Sequence, residues 1–382
     1  MYEFLKEMRI LDLTRLLPGG YATQLLADLG AEVLKVEDPW QGDYMRWMEP
    51  HFPGTKESSL FWGLNRNKKS IKLNLKSEAG KEVFLKLVGK YDVVIEGFRP
   101  GVMEKLGLGY EVLKEVNPRV IFCSISGYGQ DGPFKDRVGH DINYNAIAGV
   151  LGLTGKEDGP PVIPAVQIAD IGGGALMSVI GILTAYINRQ NTGQGQYIDI
   201  SMLDGVVSWM SMLLMQHAAG DPSLARGQSL LNGGYPCYSI YKTKDEKYMS
   251  LGALEPKFWK NFCEIVGRED LLPQQFSREA EIKEEIAVIF KSKTRDQWTE
   301  SFADQDVCCE PVLDIGETIN HPQVVFRKLL TELPHPVAGS VKVPSNPIKF
   351  NEKETSVDKQ PPGYGEHTRQ VLEELGIILE EK

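Results

Sequence analysis

The sequence predicts an α/β protein built around a parallel sheet, because apolar runs of strand length alternate with segments of helical spacing. Residues 9–13 (RILDL) and 31–37 (AEVLKVE) are predicted strands, and residues 21–29 between them have helical spacing. The alternation repeats in a helical segment and two further strands, at 78–88, 91–96 (YDVVIE) and 120–126 (VIFCSIS). Such alternation is typical of a parallel sheet with helices on both faces.

The pattern changes after about residue 170, where long helical segments replace the short strands. Segments 172–189 and 202–218 are predicted helices, and a polar, glycine-rich stretch follows them. Two short strands, 238–241 and 248–251, flank the turn KTKDEK and predict a hairpin in a smaller α+β domain. We therefore predict a large domain over 1–200 completed by 335–382, a small domain over 225–330, and linkers at 201–224 and 331–345.

The composition argues against several kinds of partner and location. The formal net charge of −10 argues against nucleic acid, because a phosphate backbone requires a basic face. The five cysteines are scattered, odd in number and without a CxxC pair, so we expect a reducing, cytoplasmic location. The longest apolar run, 172–187, is shorter than the ~20 residues of a membrane span, and we predict a buried core helix there.

Among the six histidines, His140 is the strongest candidate for chemistry. It lies in DRVGHDINYNAIAG, between Gly139 and Asp141, where a helix is predicted to begin. A histidine at a loop-to-helix junction is well placed to face a ligand. From these residues alone, a structural histidine is at least as good an interpretation.

Two acidic residues are further candidates. Asp170, in VQIADIGGGALM, stands at the front of a long apolar helix, where it would serve as an N-cap and where the helix dipole would keep its carboxylate ionised. The three glycines that follow would let a ligand approach the backbone, or would serve close helix packing. Glu255, in LGALEPKFW, is by itself typical of a helix cap.

Other motifs carry weaker signals. Basic residues are dense in and after the N-terminal strands, which suits a phosphate-bearing ligand. They are Arg66, Lys68, Lys69, Lys76, Arg99, Lys105 and Arg137. The segment LPGGYATQLLADLG resembles the turn of a dinucleotide-binding unit but lacks the GxGxxG spacing, so it is a weak signal for NAD. The chain has no HExxH, GxSxG or P-loop motif.

Six strings of the sequence together resemble the family III CoA-transferases and the related α-methylacyl-CoA racemases. They run in family order from about residue 8 to residue 376: LGAEVLKVEDPWQGDYMR, LNRNKKSIKLNLKS, DVVIEGFRPGVMEKLGLGY, ISGYGQDGP, NTGQGQYIDISMLDG and GEHTRQVLEELG. The string GHDINYNA around His140 is similar to the racemase branch, since transferases of the family usually follow a pattern like GYDxxxQA. IADIGGG around Asp170 and GALEPKF around Glu255 also resemble that branch.

The resemblance implies roles for these residues and an assembly. His140 and Asp170 would be the two acid/base groups, Glu255 would support His140, and Asp141 matches an aspartate of the family's site. The implied fold is a large Rossmann-like domain and a small domain in an interlocked homodimer, where Glu255 meets His140 of the partner subunit. No metal or redox cofactor is implied, and CoA enters as part of the substrate.

By the same resemblance, residues on loops and helix starts would bind the acyl-CoA thioester: Arg46, Leu73, Asn74, Lys76, Gly97, Phe98, Arg99, Lys105, Gly139, Asn143 and Tyr144. One position departs from the family pattern. A basic residue often follows the second strand in relatives and contacts CoA, but this chain has Asp38 there. We therefore expect contacts with the adenine end to depend more on 73–76, 97–99 and Lys105.

The chemistry of racemisation gives a reason for pairing an imidazole with a carboxyl group. Inverting the carbon beside a thioester carbonyl needs proton removal on one face and delivery on the other. Neutral His140 would take the proton of one enantiomer while protonated Asp170 delivers, and the roles exchange in reverse. The alternatives are a CoA-transferase in which Asp170 is the nucleophile, and a CoA-binding protein without turnover. The sequence does not define the acyl group.

Overall fold

The structure, a computed structural model, describes residues 2–351 and 359–377. Its strands are β1 (Arg9–Asp12), β2 (Glu32–Glu37), β3 (Lys68–Lys72), β4 (Val93–Glu96), β5 (Ile121–Ser126), β6 (Tyr197–Ser201), β7 (Tyr238–Lys242), β8 (Tyr248–Gly252), β9 (Cys309–Pro311), β10 (Leu330–His335) and β11 (Gly339–Pro344).

Its helices are α1 (Leu16–Asp28), α2 (Ser59–Leu64), α3 (Glu78–Val88), α4 (Val102–Lys105), α5 (Tyr110–Val116), α6 (Asp141–Ile147), α7 (Val150–Leu153), α8 (Met177–Thr192), α9 (Met202–Trp209), α10 (Ser211–Ala218), α11 (Pro256–Val266), α12 (Ala280–Phe290), α13 (Arg295–Phe302), α14 (Ile315–Thr318), α15 (Pro322–Phe326) and α16 (Thr368–Glu374). A π-helix, Ala169–Leu176, runs directly into α8, and short 3-10 helices lie at Tyr44–Trp47 and Glu269–Gln274.

The chain divides into two compact units, and their boundaries differ from the predicted domains. The first unit comprises Met1–Ala148, Val166–Trp209 and Pro322–Lys382, and the second comprises Gly149–Ala165 and Met210–His321. The predicted linker at 331–345 is occupied by the antiparallel β10–β11 hairpin of the first unit. Prolines at both ends of this hairpin obscured it, because proline is rare inside strands. The predicted linker at 201–224 contains α9 and α10.

A six-stranded parallel sheet forms the framework of the first unit. Its strand order is β3-β2-β1-β4-β5-β6, and every neighbouring pair is parallel, which confirms the predicted α/β class. The order reverses between β1 and β4. In open sheets of this kind, ligands bind in the crevice outside the carboxyl ends of the strands at the reversal.

The sheet is buried on both faces, as the apolar strand sequences require. Leu11, Leu34, Val94 and Phe122 are at most 1 % exposed and belong to one apolar cluster that also contains Phe84 of α3. Helices over both faces bury the strand centres and leave the loops at the carboxyl ends free to form a site. The core therefore fixes where each loop of the crevice starts.

The second unit has its own core under a three-stranded antiparallel sheet. The predicted hairpin is present as β7 and β8, and β9 pairs with β8. The apolar cluster beneath it is dominated by aromatic rings from α11, α12 and α13, namely Trp259, Phe262, Phe290, Trp298 and Phe302.

The long helix after residue 169 is less buried than predicted. By length and composition alone, Ala169–Thr192 could cross a membrane, and 39 % of its most apolar window is buried. One face packs inside the first unit through Ser178, Ile182 and Ala185, whereas Ile180 and Ile187 are 56 % and 64 % exposed. The prediction of a buried core helix therefore describes one face of this helix and is wrong for the other.

Candidate active site

A pocket of about 370 Å³ lies at the carboxyl ends of β1, β4 and β5, at the reversal of strand order. The turns after these strands form one wall, and the loop that leads into α6 and the start of the π-helix form another. Several predicted site residues line this single cavity: Gly97, Phe98, Arg99, Gly139, His140, Tyr144 and Asp170. His140 and Asp170, the two predicted acid/base groups, thus face the same cavity.

The backbone of His140 is fixed by the first turn of α6, of which it is the N-cap. Its extended conformation (φ −127°, ψ 175°) lets its N–H donate to Oδ1 of Asn143 at 3.0 Å. The N–H of Asn143 donates in turn to the carbonyl of His140 at 2.8 Å. The imidazole itself is left exposed. Asn143 holds the backbone of His140 and is not among the residues that line the cavity.

Tyr144 closes the loop before His140 against the sheet. Its hydroxyl donates to the carbonyl of Gly139 at 2.6 Å. A Cβ at Gly127 or Gly139 would lie 2.5 or 2.8 Å from the Tyr144 ring, so only glycine fits there. Burial, and then the charge of Asp170, raises the pKa of the Tyr144 hydroxyl, which therefore stays neutral and keeps the proton that it donates to Gly139.

Asp141 joins the two predicted acid/base groups. It follows His140 directly, and its Oδ1 accepts the backbone N–H groups of Ala169 at 2.7 Å and Asp170 at 3.0 Å. Its Oδ2 accepts from Nδ2 of Asn145 at 2.7 Å, and the residue is 8 % exposed. Asp141 therefore caps the π-helix, and the prediction that Asp170 is the N-cap is wrong: Asp170 lies inside the first turn.

The carboxyl group of Asp170 has an unusual protonation equilibrium. Burial, and then the nearby charge of Asp141, raises its pKa to about 7. Among the described residues, no cation forms an ion pair with it. The predicted dominance of the helix dipole is thus overturned by desolvation and by a like charge. At neutral pH both the acid and the base form of Asp170 are populated, as a group that both takes and delivers protons requires.

The glycines after Asp170 serve helix packing. A Cβ on Gly172 would lie 1.6 Å from the Trp209 ring, and one on Gly173 would lie 2.3 Å from the Met202 carbonyl. A Cβ on Gly205 of α9 would likewise lie 2.4 Å from the Cα of Gly173. The π-helical turn that carries Asp170 is therefore pressed against α9, and such turns are frequent at functional sites.

Other predicted CoA-binding residues lie away from this pocket. Arg46 is 8 % exposed, and its guanidinium donates to both carboxylate oxygens of Glu37 at 2.8 and 2.7 Å and to the carbonyl of Pro362. Leu73 belongs to the core cluster of the sheet. The side chains of Arg46 and Leu73 thus serve the fold outside this pocket, and a contact of either residue with CoA stays a prediction.

Three more predicted ligands do not line the cavity. Oδ1 of Asn74 accepts the N–H of Lys76 at 3.0 Å, which shapes the turn before α3. Lys76 and Lys105 are exposed beyond the pocket lining. A turn and two surface lysines do not by themselves identify a contact, so the binding roles of Asn74, Lys76 and Lys105 remain predictions.

The basic residues divide into a buried and a pocket group. Arg66 and Lys68 are buried in ion pairs with Asp28 and Asp12, so neither is free for a phosphate. The pocket is instead lined by Arg99 together with Arg15, Lys135 and Arg137. We did not predict Arg15 and Lys135, although Arg15 directly follows a predicted strand.

Glu255 belongs to the second unit. It is the N-cap of α11, and its carbonyl accepts the N–H groups of Phe258 and Trp259. Its side chain is exposed and makes no capping hydrogen bond. Among the described residues, no group of three or more His, Cys, Asp or Glu side chains is arranged to hold a metal ion.

The fold and the site together define an α/β protein of Rossmann-like strand order, whose crevice combines an imidazole, a carboxyl group of raised pKa and a cationic rim. The model of CoA-transferase family III matches residues 5–368. The chain belongs to this family of enzymes.

Relatives in the family include both racemases and transferases. The chain is 36 % identical to human alpha-methylacyl-CoA racemase, covering 99 % of this chain and 94 % of the relative. It is 34 % identical to human succinyl-CoA:glutarate CoA-transferase, covering 97 % and 86 %. The crystal structure of a CaiB/BaiF family protein from Brucella suis has a TM-score of 0.84 at 29 % identity, covering 97 % of this chain and 99 % of that one.

Proposed function

We propose that this protein is a racemase that interconverts (R)- and (S)-2-methylacyl-CoA thioesters by proton transfer at the α-carbon. The observation that carries the proposal is that His140 and Asp170 line one pocket while the pKa of Asp170 is raised to about 7. An acid/base group is most effective when its pKa lies near the working pH.

The proposed reaction balances with two proton transfers. One group removes the α-proton, and the C–H electron pair forms an enolate whose charge rests on the thioester oxygen. The second group protonates the opposite face of the α-carbon, which inverts it. Solvent then exchanges the two protons. No redox cofactor is needed, because the substrate is neither oxidised nor reduced.

The assembly and location follow as further proposals. We infer an interlocked homodimer in which the exposed Glu255 of one chain orients His140 of the partner subunit, as the resemblance implies. The exposed apolar side chains of Ile180 and Ile187 are consistent with coverage by a second chain. We also propose that the enzyme works in the cytoplasm.

Isotope exchange tests the proposed reaction. One enantiomer of a 2-methylacyl-CoA is incubated with the protein in deuterated water without any acceptor acid. We expect deuterium at the α-carbon together with loss of optical purity, and we expect His140→Ala to abolish both. If no deuterium enters the α-carbon, the racemase assignment is wrong.

CoA transfer is the second candidate, favoured by the 34 % identity to a CoA-transferase. In that reaction the Asp170 carboxylate attacks the thioester carbonyl, CoA leaves as a thiolate, and an acyl-aspartyl anhydride forms. The CoA thiolate then attacks the aspartyl carbonyl of this anhydride, which releases the donor acid and forms an aspartyl-CoA thioester. The acceptor carboxylate attacks that thioester to form a second anhydride and expels the CoA thiolate. The thiolate finally attacks the acceptor's acyl carbon, which gives the new acyl-CoA and frees the Asp170 carboxylate. Transfer of CoA to an added carboxylic acid, without α-deuteration, would support this reaction instead.

A further inference from the structure

Arg15 lies at the point where the strand order reverses. It follows β1, and its guanidinium carbon lies 5.9 Å from the centre of the Phe98 ring, which follows β4. Both residues line the pocket that contains His140 and Asp170. Arg15 thus stands in the crevice where a sheet of this order receives its ligand.

The backbone on both sides of Arg15 is held by buried ionic groups. The Thr14 carbonyl accepts from Nζ of Lys35 at 2.8 Å, and the Thr14 N–H donates to Oδ1 of Asp12 at 2.9 Å. The Leu16 N–H donates to Oδ1 of Asp43 at 3.3 Å, and Leu16 has a φ of +61°. A left-handed backbone is unfavourable for leucine, because its Cβ crowds the following carbonyl oxygen, so the turn is specified by its surroundings.

The side chain of Arg15 is oriented by Asp38. Oδ2 of Asp38 accepts from Nη2 of Arg15 at 2.8 Å. Oδ1 accepts the backbone N–H groups of Trp40 at 3.1 Å and Gln41 at 2.9 Å, so the carboxylate is itself fixed. Asp38 takes one of the five N–H donors of the guanidinium, and the Arg15 side chain is 40 % exposed. Its remaining donors can face a ligand.

The charge of the pocket indicates an anion. Arg15, Arg99, Lys135 and Arg137 line it, against Asp170 as the carboxylate of the lining. The chain as a whole carries −10, so this concentration of cations runs against the overall composition. A planar guanidinium fork matches two oxygens of one phosphate, which makes arginine a suitable phosphate ligand.

We propose that Arg15, oriented by Asp38, binds a phosphate group of the CoA moiety. The inference rests on the proposed acyl-CoA substrate, and it names Arg15 as an affinity-determining residue outside the acid/base pair. Asp38 is the positioning residue. The carboxylate at position 38 thus acts on the ligand through the cation that it holds.

Titration calorimetry with CoA and with pantetheine, which lacks every phosphate, tests the proposal without any turnover. We expect Arg15→Met to weaken CoA binding about 10- to 100-fold, as loss of a charge-assisted hydrogen bond predicts, and to change pantetheine binding less than twofold. Arg15→Lys should recover part of the loss. Arg369→Met, on the exposed face of α16, is the matched control and should leave both affinities unchanged.

Asp38→Asn tests the positioning role, because an amide can still accept the two backbone N–H groups. We expect CoA binding to weaken about 3- to 10-fold, with no further loss when it is combined with Arg15→Met. Tighter CoA binding by Asp38→Asn would overturn the role of Asp38. Thermal unfolding of each variant verifies that the fold is intact.

Two outcomes would overturn the role of Arg15. One is equal loss of CoA and pantetheine affinity in Arg15→Met; the other is wild-type protein that binds both ligands equally. A third experiment measures the effect of Arg15→Met on KM for two thioesters, one with a free carboxylate on its acyl group and one without. If KM rises only for the thioester that carries the carboxylate, Arg15 binds the acyl end instead. If no deuterium is exchanged but Arg15→Met still weakens the binding of CoA more than that of pantetheine, the racemase proposal is wrong and the role of Arg15 stands.

Discussion

Buried carboxylates occur in two contrasting regions of the first unit. Beneath the β1–α1 turn, Asp12 is fully buried and lies 3.3 Å from Nζ of Lys68. Burial by itself would raise its pKa, but Lys35, Lys68 and two hydroxyl donors lower it below the ordinary value. In the pocket, no cation within residues 2–351 and 359–377 forms an ion pair with Asp170, and burial followed by the Asp141 charge raises its pKa to about 7.

The difference shows what makes a buried acid structural or reactive. A paired carboxylate is locked in one protonation state, and its surroundings require that charge. An unpaired carboxyl group with a pKa near neutrality is populated in both its protonated and its ionised form, so it can take up or release a proton at little cost. The cations of the paired region hold the strands and the turn, whereas the pocket leaves Asp170 unpaired for chemistry.

The largest expected effect is on catalysis. Asp170→Asn should lower the rate of α-deuteration about 10²- to 10⁴-fold, because the amide can neither remove nor deliver the proton. Mass spectrometry of the recovered thioester measures the rate. Asp296→Asn, in an exposed ion pair of the second unit, should stay within about twofold of wild type and is the control. A variant at position 170 that kept a tenth of the rate would contradict the assignment.

The next effect is on stability in the paired region. Arg66 and Asp28 form an ion pair at 2.6 Å in which each side chain is 3 % exposed. Arg66→Met should lower the free energy of unfolding by about 3–5 kcal/mol, since it leaves Asp28 charged and buried. Urea denaturation measures the change. Arg268→Met, which breaks exposed ion pairs, should lower the free energy of unfolding by less than about 1 kcal/mol. Equal losses in the two variants would show that burial does not distinguish these ion pairs.

A smaller effect has the opposite sign in the pocket. The raised pKa of Asp170 means that the folded state binds a proton more tightly than the unfolded chain. Its contribution to stability therefore falls as pH rises from about 4 to about 7. After allowance for solvent screening, Asp170→Asn should be more stable than wild type by about 1–2 kcal/mol at pH 8 and equal to it near pH 4. Thermal unfolding across this pH range measures the difference in stability. A difference that does not change with pH would show that the pKa of Asp170 is not raised in the folded protein.

The smallest effect separates the two causes of the Asp170 shift. Asp141→Asn removes a charge but keeps an acceptor for the Ala169 and Asp170 N–H groups. Asn145 can turn its amide to follow, because its Oδ1 has no hydrogen-bond partner among the described residues. The limb of the pH–rate profile that reports Asp170 ionisation should move to lower pH, by less than about one pH unit, since burial is the larger cause. A shift to higher pH would show that Asp141 acts otherwise.

Much of the fold could be predicted from periodicity, but the state of the site could not. The apolar runs of β1, β2, β4 and β5 identified the sheet, whereas β3 (KKSIK) was missed because three of its five residues are lysines, of which Lys68 is polar yet buried. His140 and Asp170 could be selected by their local strings. The pKa of Asp170 could not, because it depends on Asp141, which lies 29 residues earlier in the chain.

The role of Arg15 also depends on residues that are distant in the sequence. Next to a predicted strand it is one basic residue among many, and nothing in its local sequence distinguishes it. Its orientation depends on Asp38, 23 residues later, and its backbone on charges from β1 and β2. Such long-range pairing is defined only once the strand order brings these elements together.

The bond from Asp141 to the start of the π-helix ties the imidazole and the carboxyl group to one local anchor. One peptide link, one side chain and two hydrogen bonds set their separation. In the proposed racemisation the two groups act on one carbon atom, so an anchor shared by the backbone of His140 and the backbone of Asp170 would favour a constant separation between them. If the proposed racemisation is correct, substitutions in the other walls of the cavity could change the acyl chain that is accepted while this shared anchor is kept.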